Sequence, residues 1–309
     1  MGGNIFDRFK SIEDLNNIPK GDMPGDKIHI NFVHLEKAKT IIPVLMDMLT
    51  AVLENHLFSR GVISVCGGSG TGKSEIASLL SYYLNETGTG SYILSGDNYP
   101  HRIPEYNDAE RLRIFRQSGT KGLIVNGQYT EDIRKILNML QRNNEDTDPK
   151  FIETYPWLEI YHKEGKLGLR SYLGTPNEID FNGLNEIISM FKNGADRIFL
   201  KRMGRKPEEI WYEAVNFRDI KVLIIEWTHG NSHYLRGVDI PVLLGSTPKE
   251  TLEFRKQRNR DRGTDSPFTE IVLGIEQELL IAQAVKAKII VSSDGRIISH
   301  KEYMRAMTE

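Results

Sequence analysis

Gly67-Gly68-Ser69-Gly70-Thr71-Gly72-Lys73-Ser74, directly after the apolar run Val62-Ile63-Ser64-Val65-Cys66, decides the fold. The pattern is G-x-x-x-x-G-K-S, a complete phosphate-binding loop in the context it needs. A buried strand delivers the chain to a turn where glycine tolerates positive φ and close backbone approach. The helix that begins at Lys73 then aims its N-terminal amides at a polyphosphate. Lys73 is expected to reach the β- and γ-phosphates and the Ser74 hydroxyl to sit on Mg²⁺, with the whole loop from Gly67 to Glu75 counted as nucleotide-binding.

Working outward, the pattern is that of an α/β chain. The helix from Lys73 to about Leu84 is followed by the turn Thr87-Gly88-Thr89-Gly90 and a second strand ending at Ser95-Gly96-Asp97, which makes a parallel βαβ unit. A third strand, Lys221 to Glu226, is nearly all apolar, as a strand buried on both faces should be. A fourth, Ile240 to Leu244, leads to a basic helix over 249 to 261; a helix over 269 to 286 and a strand from Lys288 to Val291 follow. The expected fold is a phosphate-loop NTPase fold, a mostly parallel sheet with helices on both faces.

Two additions flank that core. Residues 1–60 read as a polar arm followed by a helix from Leu35 to Leu57, with Pro43 as a candidate break. Residues 103–170, with helical periodicity near 108 to 117 and 129 to 142 and a polar break over 143–149, read as a helical insertion that shapes an acceptor pocket within a domain spanning 61–309.

Composition narrows the function classes. The 309 residues are 39% hydrophobic and 27% charged with a net charge of −2, so there is no global pull toward nucleic acid or a membrane surface. One cysteine, Cys66, excludes an intrachain disulfide, and neither a signal-peptide core nor an apolar run of about 18 residues is present. These features lead us to expect a cytoplasmic chain whose partners are found at local sites.

In a doubly wound sheet, ligands gather at the carboxyl ends of the strands. Besides the loop, two such ends carry acids. Asp97 is the candidate base that orients an acceptor hydroxyl, or alternatively a cap of its own turn; Glu226 is the candidate acid on the metal side. The run Arg255 to Gly263 reads either as a solvated helix or as a lid whose Arg258 and Arg262 close on the transferred phosphate. Arg202, in the cluster Lys201 to Lys206, suggests an anionic acceptor if it borders the pocket, and Arg102, Arg111, Arg113 and Arg116 are further candidate acceptor ligands. His229 is placed to contact substrate, whereas Trp227 reads as core.

Taken together, these segments resemble the phosphoribulokinase/uridine kinase family. The resemblance rests on the loop at 67–74, on Ser95-Gly96-Asp97-Asn98-Tyr99, on Thr175 to Phe181 with its Asp180, and on the arginine run. It implies ATP, Mg²⁺, a small-molecule hydroxyl acceptor contacted by residues such as Tyr99 and Asp180, and a dimer or tetramer. Gly174 stands where uridine kinases carry an aspartate, and Trp227 where the family has glycine, which argues against uridine itself. A shorter likeness to adenylylsulfate kinases lies in Gly96-Asp97-Asn98 with Arg102. A regulatory ATPase acting on a partner protein is the remaining alternative.

Overall fold

A computed structural model describes residues 18, 20–25, 27–247, 249–252 and 266–308. Its centre is a sheet in the order β2-β5-β1-β6-β7-β8, with β1 Gly61–Gly67, β2 Ser91–Ser95, β5 Val222–Glu226, β6 Ile240–Leu244, β7 Ile289–Val291 and β8 Ile297–Ile298. All pairings are parallel except β7 with β8, which closes through the turn at Asp294-Gly295. The phosphate-loop α/β fold expected from the sequence is the fold observed.

The strand sequences explain their position. Every residue of β1 and β5 is buried, and successive side chains feed opposite cores. Val222 and Ile224 join the core beneath α1 (Phe32–Asn55) and α2 (Lys73–Glu86), while Leu223 and Ile225 join the core beneath α6 (Phe181–Lys192). Strands covered on both faces must read as continuous apolar runs, and these do.

α1 is continuous through Pro43. Proline removes one backbone donor, a cost of about 3 kcal/mol in a helix interior. Here Pro43 lies on the exposed face of the helix, while Ile41, Ile42, Leu45 and Leu49 are buried on the face that packs into the core. The expected break therefore does not occur.

The 103–170 segment, expected to be an insertion, carries three helices rather than two: α3 Pro104–Val125, α4 Glu131–Arg142 and α5 Leu158–Arg170. Together with α7 (Pro267–Gln283) they enclose a separate apolar core around Phe115, Leu140, Tyr161, Leu169 and Ile275. The stretch read as a polar break is partly interior. Asp146 is fully buried and binds Arg116 Nη2 at 2.7 Å, the Tyr161 hydroxyl at 2.8 Å and, through its carbonyl, His162 Nε2 at 2.8 Å. A two-stranded antiparallel hairpin, β3 Arg197–Met203 with β4 Ile210–Asn216, stands apart from the main sheet and was not anticipated. α8 (His300–Thr308) ends the described chain. Most of the expected basic helix, with Arg258 and Arg262, lies outside the described residues.

Candidate active site

β1 ends at Gly67, where a Cβ would lie 2.7 Å from Thr71 Oγ1 and 3.0 Å from the Leu244 carbonyl, so only glycine allows the loop to close. The loop is braced from within: the Thr71 hydroxyl donates to the Gly68 carbonyl at 2.9 Å, and Lys73 Nζ to the same oxygen at 3.1 Å. Gly72 is the N-cap of α2 with φ 87°, and among the described residues no side-chain cap hydrogen bond closes this end of the helix. Those amides and the positive end of the helix dipole form an anion site. α1 abuts the loop. Its capping box, Asn31 with His34, brings His34 Nε2 to 2.9 Å from where a Gly72 Cβ would stand.

Parallel register sets the acids. Glu226, the last residue of β5, is paired with Val65 on one side and Ser95 on the other, which places its carboxylate beside the loop. It is buried and takes hydrogen bonds from the hydroxyls of Ser74 and, at 3.4 Å, Ser95. Burial pushes the Glu226 carboxyl up to about 7; Lys73 and Ser74 pull it down, while Asp97 and Glu75 push it further up. A buried carboxylate crowded by two others is a group that a divalent cation relieves. Asp97 is exposed on the single 3₁₀ turn Gly96–Asn98 that follows β2. A Cβ on Gly96 would overlap the Trp227 indole, which packs on Phe181 with ring centroids 5.4 Å apart, so Trp227 is core as expected.

A second polar group lies on the insertion side. Buried Glu178 accepts from Arg111 Nε at 2.6 Å, Asn107 Nδ2 at 2.9 Å and the Gly174 amide at 2.6 Å. Its burial favours the neutral acid, but Arg111 and that amide outweigh it and hold the carboxyl below its usual range. Gly174 has φ 70°, and a Cβ there would come within 2.9 Å of His229 Cε1. The glycine at this departure from the uridine kinase pattern thus makes room for the imidazole. His229 is buried, and burial, with Arg111 and Lys73 nearby, drives its pKa down to about 4 against the pull of Glu178; it is neutral at pH 7. Glu276 of α7 completes the group. Burial raises its carboxyl, with Glu178 and Asp97 adding to the rise and Arg111 and Lys73 opposing it.

The structure therefore brings together Lys73, Ser74, Glu75, Asp97, Glu226 and His229 from the sequence reading. Other expected residues are placed elsewhere. Tyr99 is buried in the core with Ile179 and Phe181. Asp180 caps α6, accepting from the Gly183 amide at 2.9 Å. Arg202 is buried and engaged by Asp22 at 2.9 Å, Glu213 at 3.1 Å and the Tyr92 hydroxyl at 2.8 Å. Arg102 binds the Tyr172 hydroxyl at 3.0 Å and faces Glu110 at 3.6 Å. Arg113 pairs with Glu110 and Arg116 with Asp146. The cations that suggested an anionic acceptor are thus matched by carboxylates. Arg111, expected as an acceptor ligand, is instead engaged by Glu178; Glu178 and Glu276 were missed, since each stands in a loop or helix with no local signature of chemistry.

Fold and loop define a phosphate-loop α/β nucleotide-binding protein. Over 266 residues, 86% of this chain, it is 41% identical to the bifunctional α-galactosidase/sucrose kinase AgaSK of Mediterraneibacter gnavus, and the match spans 23% of that protein's length. An adenylyl-sulfate kinase of Escherichia coli is 37% identical over 70 residues, 21% of this chain and 35% of its own. Among solved structures, one described as a possible uridine kinase of Bacillus stearothermophilus aligns with a TM-score of 0.39 at 14% identity, covering 80% of this chain and 98% of that one. No family model matches the chain. No helix among the described residues is long and apolar enough to cross a membrane.

Proposed function

We propose that this chain is an ATP-dependent kinase that transfers the γ-phosphoryl group to a hydroxyl of a small, neutral polyhydroxy compound such as a sugar. The observation that carries this reading is the convergence of the phosphate loop, buried Glu226 and exposed Asp97 at the carboxyl ends of three neighbouring strands. Lys73 and the first-turn amides of α2 would bind the β- and γ-phosphates. Ser74 and Glu226 would hold Mg²⁺, which when bound neutralises charge on the transferred group. Asp97 would accept the proton of the attacking hydroxyl. Arg258 and Arg262 keep their assignment as lid residues on phosphate, and the cytoplasmic location expected from composition and the dimer or tetramer implied by the family resemblance belong to the same reading.

Two supports favour a neutral acceptor. The candidate arginines of the 103–170 segment and Arg202 are already paired with acids, so Glu276 and Asp97 are left to accept O–H hydrogen bonds and neutral His229 to donate or accept one. In addition, the relative that is 41% identical is named a sucrose kinase. An adenylylsulfate kinase is the second reading, favoured by the 70-residue match.

ADP release measured over a panel of sugars, sugar phosphates and adenylyl sulfate tests this. Turnover that appears only with a neutral sugar is expected, and Asp97→Asn should lower it by about 10² while nucleotide binding persists. Hydrolysis unchanged across the panel would indicate an ATPase, and turnover with adenylyl sulfate alone would favour the second reading.

A further inference from the structure

We propose that Asp22, on the segment ahead of α1, is a positioning residue that holds the turn carrying Asp97 in register with the phosphate loop. This rests on the kinase reading, since Asp97 is its proposed base.

β2 is the edge strand of the sheet, and the segment around Asp22 covers it. A Cβ on Gly21 would come within 3.2 Å of Ile93 Cγ2, and Ile18 is buried in the core that Ile93 shares. Asp22 Oδ1 accepts from the Ser95 amide at 2.7 Å and from Asn98 Nδ2 at 3.1 Å. Those two donors flank Asp97, so one oxygen ties both ends of the turn. Oδ2 accepts from the Tyr92 hydroxyl at 3.0 Å and from Arg202 Nη1 at 2.9 Å. Asn98 is gripped from the other side too: its Oδ1 accepts the Met203 amide of β3 at 3.0 Å. The turn is thereby suspended between an N-terminal segment and a hairpin that both lie outside the main sheet.

Asp97 itself is exposed and its turn is one 3₁₀ turn long. The position of its backbone therefore depends on how the turn is anchored. A buried ion pair adds little stability over an apolar isostere, whereas a fully bonded polar network specifies one geometry. Asp22 meets that description: burial drives its carboxyl up to about 6, yet Arg202 and three further donors, Ser95, Asn98 and Tyr92, keep it engaged. The two oxygens have separable tasks. Oδ1 orients the turn, and Oδ2 answers the charge of Arg202.

Three single variants and one double variant test this in the sugar-dependent assay, with thermal unfolding read in parallel. Asp22→Ala is expected to lower kcat by about tenfold to a hundredfold, the scale of an ångström-sized misplacement, with KM for ATP within about twofold of wild type. Asp22→Asn keeps an oxygen for Ser95 and Asn98 but removes the charge facing Arg202. It should lose melting temperature while holding kcat within about threefold, so that activity and stability separate. Asn98→Ala should lower kcat as Asp22→Ala does, and the double variant should fall no further, because both act through one turn. If Asp22→Ala does not fold, Asn98→Ala carries the test alone. The proposal is overturned if kcat follows melting temperature across the series, if the two losses simply add, or if folded Asp22→Ala or Asn98→Ala keeps kcat within twofold. A wild-type chain with no acceptor-dependent turnover overturns the kinase reading itself, and this inference with it.

Discussion

Glu226 shows how burial converts a common residue into a charged trap. Its carboxyl is desolvated, flanked by Asp97 and Glu75, and pushed up to about 7 from an ordinary 4.5. The unfolded chain releases this proton near pH 4.5, and the folded chain keeps it to about pH 7. Stability from this group is therefore greatest below pH 4.5, falls as pH rises through that interval, and stays low above it. A rise of this size corresponds to roughly 3 kcal/mol. Glu226→Gln removes the titration, so between pH 5 and 8 the wild-type chain should lose roughly 2 to 3 kcal/mol more unfolding free energy than the variant in denaturant titrations without nucleotide or metal. Equal losses would mean that Glu226 ionises at an ordinary pH. In the proposed enzyme the same variant should lose Mg²⁺-dependent turnover, because a neutral amide does not replace the carboxylate on the cation.

Helix α3, which carries Arg111, meets α5 through glycines. A Cβ on Gly119 would stand 2.7 Å from the Tyr161 carbonyl and 2.6 Å from its ring, and backbone cannot yield as a flexible side chain can. Helix propensity alone favours alanine over glycine by about 1 kcal/mol. Packing reverses the sign here: Gly119→Ala should destabilise the protein by roughly 1 to 3 kcal/mol, read as a lowered melting temperature, and a gain in stability would show that the helices can part at no cost. This contact also marks the limit of what the sequence discloses. β1 and β5 could be read because both of their faces are covered, so that apolar residues run without interruption. The phosphate loop could be read because its parts are contiguous. The hairpin β3–β4 could not, since β4 is largely exposed and Ile210-Trp211-Tyr212 followed by Glu213 lacks both a buried run and a clean alternation. Glu276, Glu178 and Asp22 acquire meaning only through neighbours far away in the chain, and no local spacing signals that. Arg202 misled for the same reason, its partner Asp22 lying 180 residues earlier.

Across the whole molecule the two halves of the proposed reaction are built on different cores. The nucleotide side stands on the core beneath α1 and α2, which includes Ile63 and Val65 of the loop-bearing strand. The proposed acceptor side stands on the core of the 103–170 segment, which joins α3, the source of Arg111, to α7, the source of Glu276, through Phe115, Val272 and Ile275. Asp146 is the polar hub of that second core, fully buried and bonded to Arg116 and Tyr161 on two of its helices. Asp146→Ala leaves the Arg116 guanidinium without its carboxylate and the Tyr161 hydroxyl without its acceptor. Breaking one partner of a buried pair typically costs about 3 to 5 kcal/mol. Because the damage is confined to the insertion core, it should loosen Arg111 and Glu276 relative to Asp97 and leave the phosphate loop intact. The expected signature is a rise of about tenfold or more in KM for the acceptor, with KM for ATP within about twofold, in protein that still binds nucleotide. If both constants rise together, the two cores are coupled and the insertion is part of the nucleotide site as well.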